Sequence, residues 1–159
     1  SPHGLGASLQ RDDELVAYIE SELSEEGFRR FGFERGSAAG QQTGESLIVL
    51  VALRAWKEYW CAGRTQLFVK GDNVAACILL VSMRAKGSGP SLIAREVALE
   101  IGDGSFSPHV SHIPGVANGV CDALSRRHDP HKHAALPSIL VGVPRTDVPL
   151  RDDSYFLAI

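Results

Sequence analysis

Three carboxylate residues stand at positions whose context suits metal-dependent chemistry. Glu45 opens a long apolar stretch, Asp72 follows a β-type run at residues 66–70, and Asp122 lies within a short helical pattern at residues 119–126. Mg²⁺ prefers hard oxygen ligands, and a pair of such ions can clamp both the attacking water and the leaving oxygen of a phosphodiester. The spacing therefore predicts a two-metal nuclease site on a helix, a strand end and a second helix.

The sequence around these residues resembles the ribonuclease H domain of retrotransposon reverse-transcriptase polyproteins. The similarity covers about residues 1–130, and its last block is the most specific. The matching blocks, in chain order, are residues 1–7, 41–45, 51–56, 71–73 and 112–126.

The resemblance implies an α/β protein with a ribonuclease H-like fold, in which a mixed five-stranded sheet carries helices on its faces. This domain would occupy residues 1–130, and an irregular C-terminal tail or linker would occupy residues 131–159. The catalytic residues and metal ligands would be Glu45, Asp72 and Asp122. Candidate substrate contacts are Ser1, Asn73 and Arg126.

The activity that the resemblance implies is hydrolysis of the RNA strand of RNA–DNA hybrids by two-metal catalysis. Mg²⁺ would be the cofactor, with Mn²⁺ as a substitute, and contacts to 2′-hydroxyl groups would distinguish RNA from DNA. The domain would belong to a retroelement reverse transcriptase and would be fused to its polymerase domain.

One departure from the family pattern concerns a fourth carboxylate. The family motif reads Asp-Ala-Ser-Pro-x-Gly, and its Asp would lie two residues before Ser1. Asp12 and Asp13 do not replace it, because they lie at the far end of the strand in a turn. We therefore expect a fragment whose activity is impaired. The alternative is a catalytically inactive relic that acts as a structural or nucleic-acid-binding module.

Other residues offer weaker alternatives. A transposase or integrase core would need a later helical glutamate, for which Glu96 or Glu100 could be nominated, but the order of the acids argues against it. His112 is expected to be structural, and His112 or His109 would be the candidates for a proton shuttle. A cluster near the end of the sequence is expected to be solvated rather than metal-binding, and consists of His128, Asp129, His131 and His133.

The bulk composition suits one globular domain and argues against several other classes. The 159 residues are 44% hydrophobic and 22% charged, with a net charge of −3. No apolar run approaches the ~20 residues of a membrane span. Three cysteines without a C-x-x-C motif favour a reducing, intracellular location in cytoplasm or nucleus. The chain does not show the overall basic charge of many nucleic-acid binders, although nine basic residues could line one face: Arg29, Arg30, Arg54, Lys57, Lys70, Arg84, Lys86, Arg126 and Arg127.

The hydrophobic periodicity and the turn residues predict the element order β-β-β-α-β-α-α-β-α. Thr43 is the candidate N-cap of a central buried helix, after a loop at residues 36–44. The predicted strands are 4–10, 15–19, 28–33, 65–71 and 107–113, and the predicted helices are 45–60, 73–83, 92–101 and 119–126.

Overall fold

The computed structural model describes residues 1–84 and 86–157 of the chain. This part of the protein is a mixed α/β structure. Its strands are β1 (Gly4–Arg11), β2 (Glu14–Glu22), β3 (Thr65–Gly71) and β4 (Phe106–His112), and its α-helices are α1 (Glu25–Phe31), α2 (Ala38–Ala55), α3 (Val74–Ser82), α4 (Ser88–Asp103) and α5 (Gly119–Arg126).

The first two strands form an antiparallel hairpin closed by two aspartates. Asp12 and Asp13 have φ angles of 52° and 65°, the combination that a tight two-residue hairpin turn requires. Aspartate tolerates this left-handed conformation better than most residues. The turn that was predicted at this place is therefore confirmed.

The second sheet pairs β3 and β4 in parallel, in register from Thr65 with Phe106 to Gly71 with His112. The bounds predicted for β3 agree with the structure. Within the described residues the four strands form two separate two-stranded sheets rather than one five-stranded sheet. The mixed α/β class is thus correct, but the expected single sheet is not seen.

The strand predicted at residues 28–33 is wrong, because this segment belongs to helix α1. The Ser24 hydroxyl accepts the N–H of Gly27 and caps the helix, and Gly32 ends it in the left-handed conformation with φ 71°. Phe28 and Phe31 are buried, three residues apart on one helical face. These local capping interactions outweigh the β propensity of the phenylalanines.

The loop predicted at residues 36–44 is also wrong, since α2 begins at Ala38. Ser37 is the N-cap and accepts the N–H of Gly40, whereas the Thr43 hydroxyl donates to the Ala39 carbonyl from inside the helix. The helix ends at Ala55 instead of residue 60, and a 3₁₀ turn, Lys57–Tyr59, follows it. The sequence prediction treated this segment, which is rich in Gly and Ala, as an irregular loop. The elements that pack against it are distant in sequence, so no local pattern indicated the helix.

Helix α2 is the centre of the main hydrophobic core. It packs against β1, α3 and α4, and Leu50 and Val51 are almost inaccessible to solvent. Although α2 is apolar, no helix in residues 1–84 and 86–157 combines the length and hydropathy needed to cross a membrane.

A buried ion-pair network joins α2 to α4. Arg54 forms salt bridges with Glu96, which is fully buried, and with Glu100 at 2.7 Å. The Arg54 guanidinium also donates to the backbone carbonyl of Tyr155 at 2.6 Å. Burial would lower the pKa of Arg54, but its hydrogen bonds to Glu100 and Glu96 outweigh that effect and raise it. The cation is therefore retained inside the fold.

The C-terminal segment is irregular but packed against the rest of the protein. The backbone N–H of Tyr18 in β2 donates to the Pro144 carbonyl at 3.1 Å, and the Tyr18 carbonyl accepts the N–H of Thr146 at 2.8 Å. The Trp56 indole donates to the Thr146 hydroxyl at 2.8 Å, and the Phe156 ring is buried against Phe31. This segment therefore covers the outer edge of the hairpin, and the predicted division at residue 130 stays a prediction.

Helix α5 lies unusually close to β1 because two glycines face it. A Cβ atom added at Gly4 would stand 2.4 Å from the Ser125 carbonyl oxygen, and one added at Gly6 would stand 2.4 Å from the Cys121 carbonyl oxygen. Neither contact is sterically possible, so the backbones approach each other only because side chains are missing. The glycines thereby fix the position of Asp122 on α5.

We predict that Gly6→Ala destabilises the protein by about 1–3 kcal/mol, because the new methyl group must push α5 away from β1. Gly63→Ala is the matched control, since a Cβ there meets nothing within 4 Å. Urea unfolding of both variants measures the difference. Equal free energies of unfolding would show that the close approach is not a real constraint.

Candidate active site

Glu45 lies in the interior of α2, which begins at Ala38, and not at the helix start that the sequence predicted. Gly44 precedes it and lies against Leu5 and Leu23, at the end of the hairpin. Glu45 itself is half-buried and lines a cavity beneath this end. Its position therefore depends on the long buried helix and on the small residues around it.

Asp72 stands at the junction between β3 and α3. Asp72 does not cap α3, because the Asn73 side-chain oxygen accepts the N–H of Ala76 at 2.9 Å and fills that role. His112, at the end of β4, has its Nε2 atom 3.2 Å from the Asp72 carbonyl oxygen. Because a carbonyl only accepts, the imidazole donates here and ties the ends of both parallel strands together.

The three predicted ligands line one cavity. Glu45, Asp72 and Asp122 come from α2, the end of β3 and α5, and they surround this cavity together with Ser1. The cavity contains about 600 Å³ of empty space, including its mouth. Elements far apart in the sequence thus bring the three carboxylates to one place.

The electrostatics of Glu45 reflect this arrangement. Burial raises the pKa of Glu45, and the negative charges of Asp72 and Asp122 raise it further. The ammonium group of Ser1 acts in the opposite direction. A carboxylate that is desolvated and surrounded by like charges is a recognised mark of functional sites.

The donor set of the cavity suits Mg²⁺ in its chemistry. Among residues 1–84 and 86–157, no group of three or more His, Cys, Asp and Glu side chains is placed so that it could hold a metal ion. The carboxylates still supply hard oxygen donors, and a divalent cation would relieve their mutual repulsion. The assignment of these carboxylates as ligands stays a prediction.

The predicted substrate contacts are engaged within the protein. Arg126 pairs with Asp122 at 3.0 Å, four residues apart on α5. Asn73 caps α3, and the Ser1 amino group donates to the Ser125 hydroxyl at 2.9 Å. Arg126 and Asp122 remain partly exposed, so an anionic ligand could still compete for the arginine.

Sequence reasoning missed residues that hold the cavity together. Ser125 is buried, donates to the Asp122 carbonyl at 2.8 Å and accepts from Ser1. Cys121 lies 3.8 Å from the Ser8 hydroxyl, and burial raises the pKa of its thiol. Cys121 and Ser125 are four residues apart and therefore lie on one face of α5, toward the glycines of β1. This spacing is the sequence signal that could have identified them.

Several other charged residues are occupied elsewhere. Glu96 and Glu100, the acids nominated for a transposase-like core, pair with Arg54 between α2 and α4 and do not line the cavity. Arg30 pairs with Asp153, and Arg127 pairs with Glu20. A basic face that binds nucleic acid would therefore contain fewer than the nine basic residues that the sequence offered.

The histidine cluster near the C-terminus is partly packed rather than fully solvated. Asp129 is buried, and its carboxylate accepts the N–H groups of His131 and Lys132 at 2.9 and 3.1 Å. The Nε2 atom of His128 is buried without a hydrogen-bond partner. Asp129 therefore closes a turn beside the cavity entrance, where its other oxygen contacts the Ser1 hydroxyl at 3.4 Å.

Comparison with known proteins adds no assignment: no family model, curated protein or solved structure matches the chain. The resemblance to ribonucleases H therefore stays a prediction from the sequence motifs.

We predict that Glu45→Gln stabilises the metal-free protein at pH 7. Because the folded state raises the pKa of Glu45 above 4.5, native Glu45 binds protons more readily than unfolded Glu45, so its ionisation costs stability above the folded pKa. Removing the charge should raise the Tm by about 2–4 °C, the shift that 1 kcal/mol gives in a domain of this size.

The advantage of Glu45→Gln should disappear below pH 4.5, where both states of the native glutamate are protonated. Thermal unfolding between pH 4 and pH 8 in EDTA measures this dependence. Exposed Glu14→Gln is the control and should show no such trend. A loss of stability at pH 7 would contradict the prediction.

Proposed function

We propose that the chain is a ribonuclease H-type endonuclease domain that hydrolyses the RNA strand of RNA–DNA hybrids, as part of a retroelement reverse transcriptase. The observation that carries this proposal is the shared cavity of Glu45, Asp72 and Asp122, reached from three elements in the order of the family motifs. The five-stranded ribonuclease H-like sheet, the polymerase partner and the intracellular location belong to the same proposal.

In this proposal Glu45, Asp72 and Asp122 would hold the metal at the cavity that they line. When bound, paired Mg²⁺ ions would activate the attacking water and stabilise the leaving 3′ oxygen, and Mn²⁺ would substitute. A bound cation would offset the repulsion among the three carboxylates and would therefore favour the ionised form of Glu45. His112 keeps Asp72 in place through the backbone, and Arg126 is available to a phosphate once it leaves Asp122.

The second candidate is a catalytically inactive relic of the same fold that binds nucleic acid or acts as a spacer. The observation that favours it is that candidate substrate contacts are engaged within the protein, since Arg126 pairs with Asp122 and Asn73 caps α3. The two candidate functions predict different results when a carboxylate and Mg²⁺ are added. The endonuclease should then cleave the hybrid, and the relic should not.

We predict that adding Asp-Ala directly before Ser1 increases cleavage of a labelled RNA–DNA hybrid in Mg²⁺. The amino group of Ser1 lies at the cavity, so the added aspartate would reach the other carboxylates. The increase in cleavage rate should exceed the about 10–100-fold effect that is typical of residues that support a metal ligand without binding the metal.

An Asn-Ala extension is the matched control for this experiment, because it moves the amino group equally but adds no charge. Equal activity of the Asp-Ala and Asn-Ala proteins would show that the fourth carboxylate is not needed. A lack of cleavage by both, with Mg²⁺ and with Mn²⁺, would favour the relic.

We predict that Asp72→Asn in the Asp-Ala protein abolishes cleavage without unfolding it. The change keeps size and removes the charge, so stability without metal should be unchanged or slightly higher. The increase in Tm on adding Mg²⁺ should shrink, because fewer ligands bind the cation in the folded state.

Asp13→Asn is the matched control for Asp72→Asn, since it lies in the hairpin turn at positive φ, which asparagine tolerates. It should keep both cleavage and the Mg²⁺-dependent shift of Tm. A large loss of metal-free stability in Asp72→Asn would instead make Asp72 a structural residue.

A further inference from the structure

The outer face of the second sheet is formed by exposed residues. Within residues 65–71 and 106–111, exposed positions alternate with buried or partly buried ones, so every second side chain belongs to this face. The parallel register places the exposed residues in three opposed pairs, which are Gln66 with Ser107, Phe68 with His109, and Lys70 with Ser111. Parallel strands that are covered on both faces read as continuous apolar runs, whereas these two strands alternate. The outer face is therefore suited to water or to a polar partner.

Phe68 is the exception to the polar character of the outer face, and it is 64% exposed. Its ring stacks on the His109 imidazole, with the ring centroids 5.2 Å apart and the planes inclined by 22°. Since the side chains of a strand stand roughly perpendicular to the sheet, the imidazole covers one side of the Phe68 ring and leaves the other side open. Stacking also holds the ring in place before any ligand binds, which lowers the entropy cost of binding.

The charges around Phe68 favour an anionic ligand. Lys70 lies two residues after Phe68 on the outer face, and Arg64 is exposed directly before β3. The six residues of the outer face include a lysine and a histidine and no acid, although the chain carries a net charge of −3. Cations on both sides of an exposed aromatic ring suit a ligand in which phosphates alternate with aromatic bases.

The polar residues of the outer face argue against an apolar protein partner. Gln66 supplies an amide, and Ser107 and Ser111 supply hydroxyl groups. An apolar helix laid on this face would remove these groups and the Lys70 ammonium from water without offering hydrogen bonds, which is costly. A ligand that carries its own donors and acceptors beside a flat ring would satisfy them.

We propose that the outer face binds single-stranded RNA, with a base stacked on the open side of Phe68 and the neighbouring phosphates at Lys70 and Arg64. The hydroxyl groups of Ser107 and Ser111 are the partners for 2′-hydroxyls, the groups by which a protein distinguishes RNA from DNA. Every base has a flat π face, so the site discriminates little between sequences. This proposal does not depend on the nuclease activity proposed above.

The experiment measures the affinity of the protein for a fluorescently labelled oligouridylate of about ten nucleotides, a length within the usual site sizes of single-strand binders. Fluorescence anisotropy is recorded in EDTA, which prevents metal-dependent cleavage. Phe68→Ala should weaken binding at least about fivefold, the lower end of the effect of losing one stacked aromatic. Phe68→Leu should weaken it similarly, because leucine is apolar but has no π face. Phe68→Trp should bind at least as tightly as the unmodified protein.

Two matched controls separate this site from general surface effects. Ile78→Ala removes an apolar side chain of similar exposure, 59%, from α3 and should leave the affinity unchanged. Lys70→Gln should reduce the slope of log affinity against log salt concentration by about 0.7, the value for one phosphate contact on a single strand. Lys86→Gln, which removes an exposed lysine just before α4, should leave this slope unchanged.

Amide NMR shifts on adding the oligouridylate should change at Phe68, Lys70 and His109. A lack of binding, or shifts confined to cavity residues such as Gly44 and Ser125, would overturn the proposal. Full affinity in Phe68→Leu would make the contact merely apolar and would exclude a stacked base. Equal affinity for oligodeoxyuridylate of the same length would overturn the assignment to RNA. None of these measurements involves cleavage, so failure here is distinct from failure of the nuclease proposal.

Discussion

The need to bury α2 on nearly all sides controls this structure. The helix has little polar surface, so the hairpin, α3 and α4 must all pack around it. Two residues of α2, Arg54 and Glu45, are charged and lie in the interior, but the charges around them differ. Arg54 meets two glutamates that neutralise it, whereas Glu45 meets like charges from Asp72 and Asp122. The fold therefore tolerates a carboxylate that lies among like charges and has only the Ser1 ammonium to offset them, a kind of group that is common at functional sites.

The sequence predicted those elements whose signals are local. The bounds of β3 and α5 agree with the structure because a short apolar run and a compact helical pattern each end at clear turn residues. The first half of α2 and the whole of α1 were missed. Their caps, Ser37 and Ser24, precede segments rich in glycine or phenylalanine, for which intrinsic propensity opposes the observed helix. Strand pairing depends on contacts between residues that are far apart in the sequence, and hydrophobic periodicity gives no information about such contacts.

The candidate site was predictable as a set of residues but not as an arrangement. The order of Glu45, Asp72 and Asp122 indicated a shared place, and the cavity brings them together. The capping role of Asn73, the contact of His112 with the Asp72 backbone and the Ser125 contacts depend on side-chain geometry. No spacing rule distinguishes an asparagine that binds substrate from one that caps a helix.

The packing of the C-terminal segment has a consequence for biosynthesis. Trp56 and Arg54 of the central region find partners at Thr146 and Tyr155, about 90 and 100 positions later in the chain. During vectorial synthesis, the ribosome releases α2 and α4 long before these partners emerge. Until then, the Trp56 indole lacks its acceptor and Phe31 lacks the Phe156 ring. The nascent chain should therefore pass through a loosely sealed, protease-sensitive intermediate until residues 146–156 have emerged.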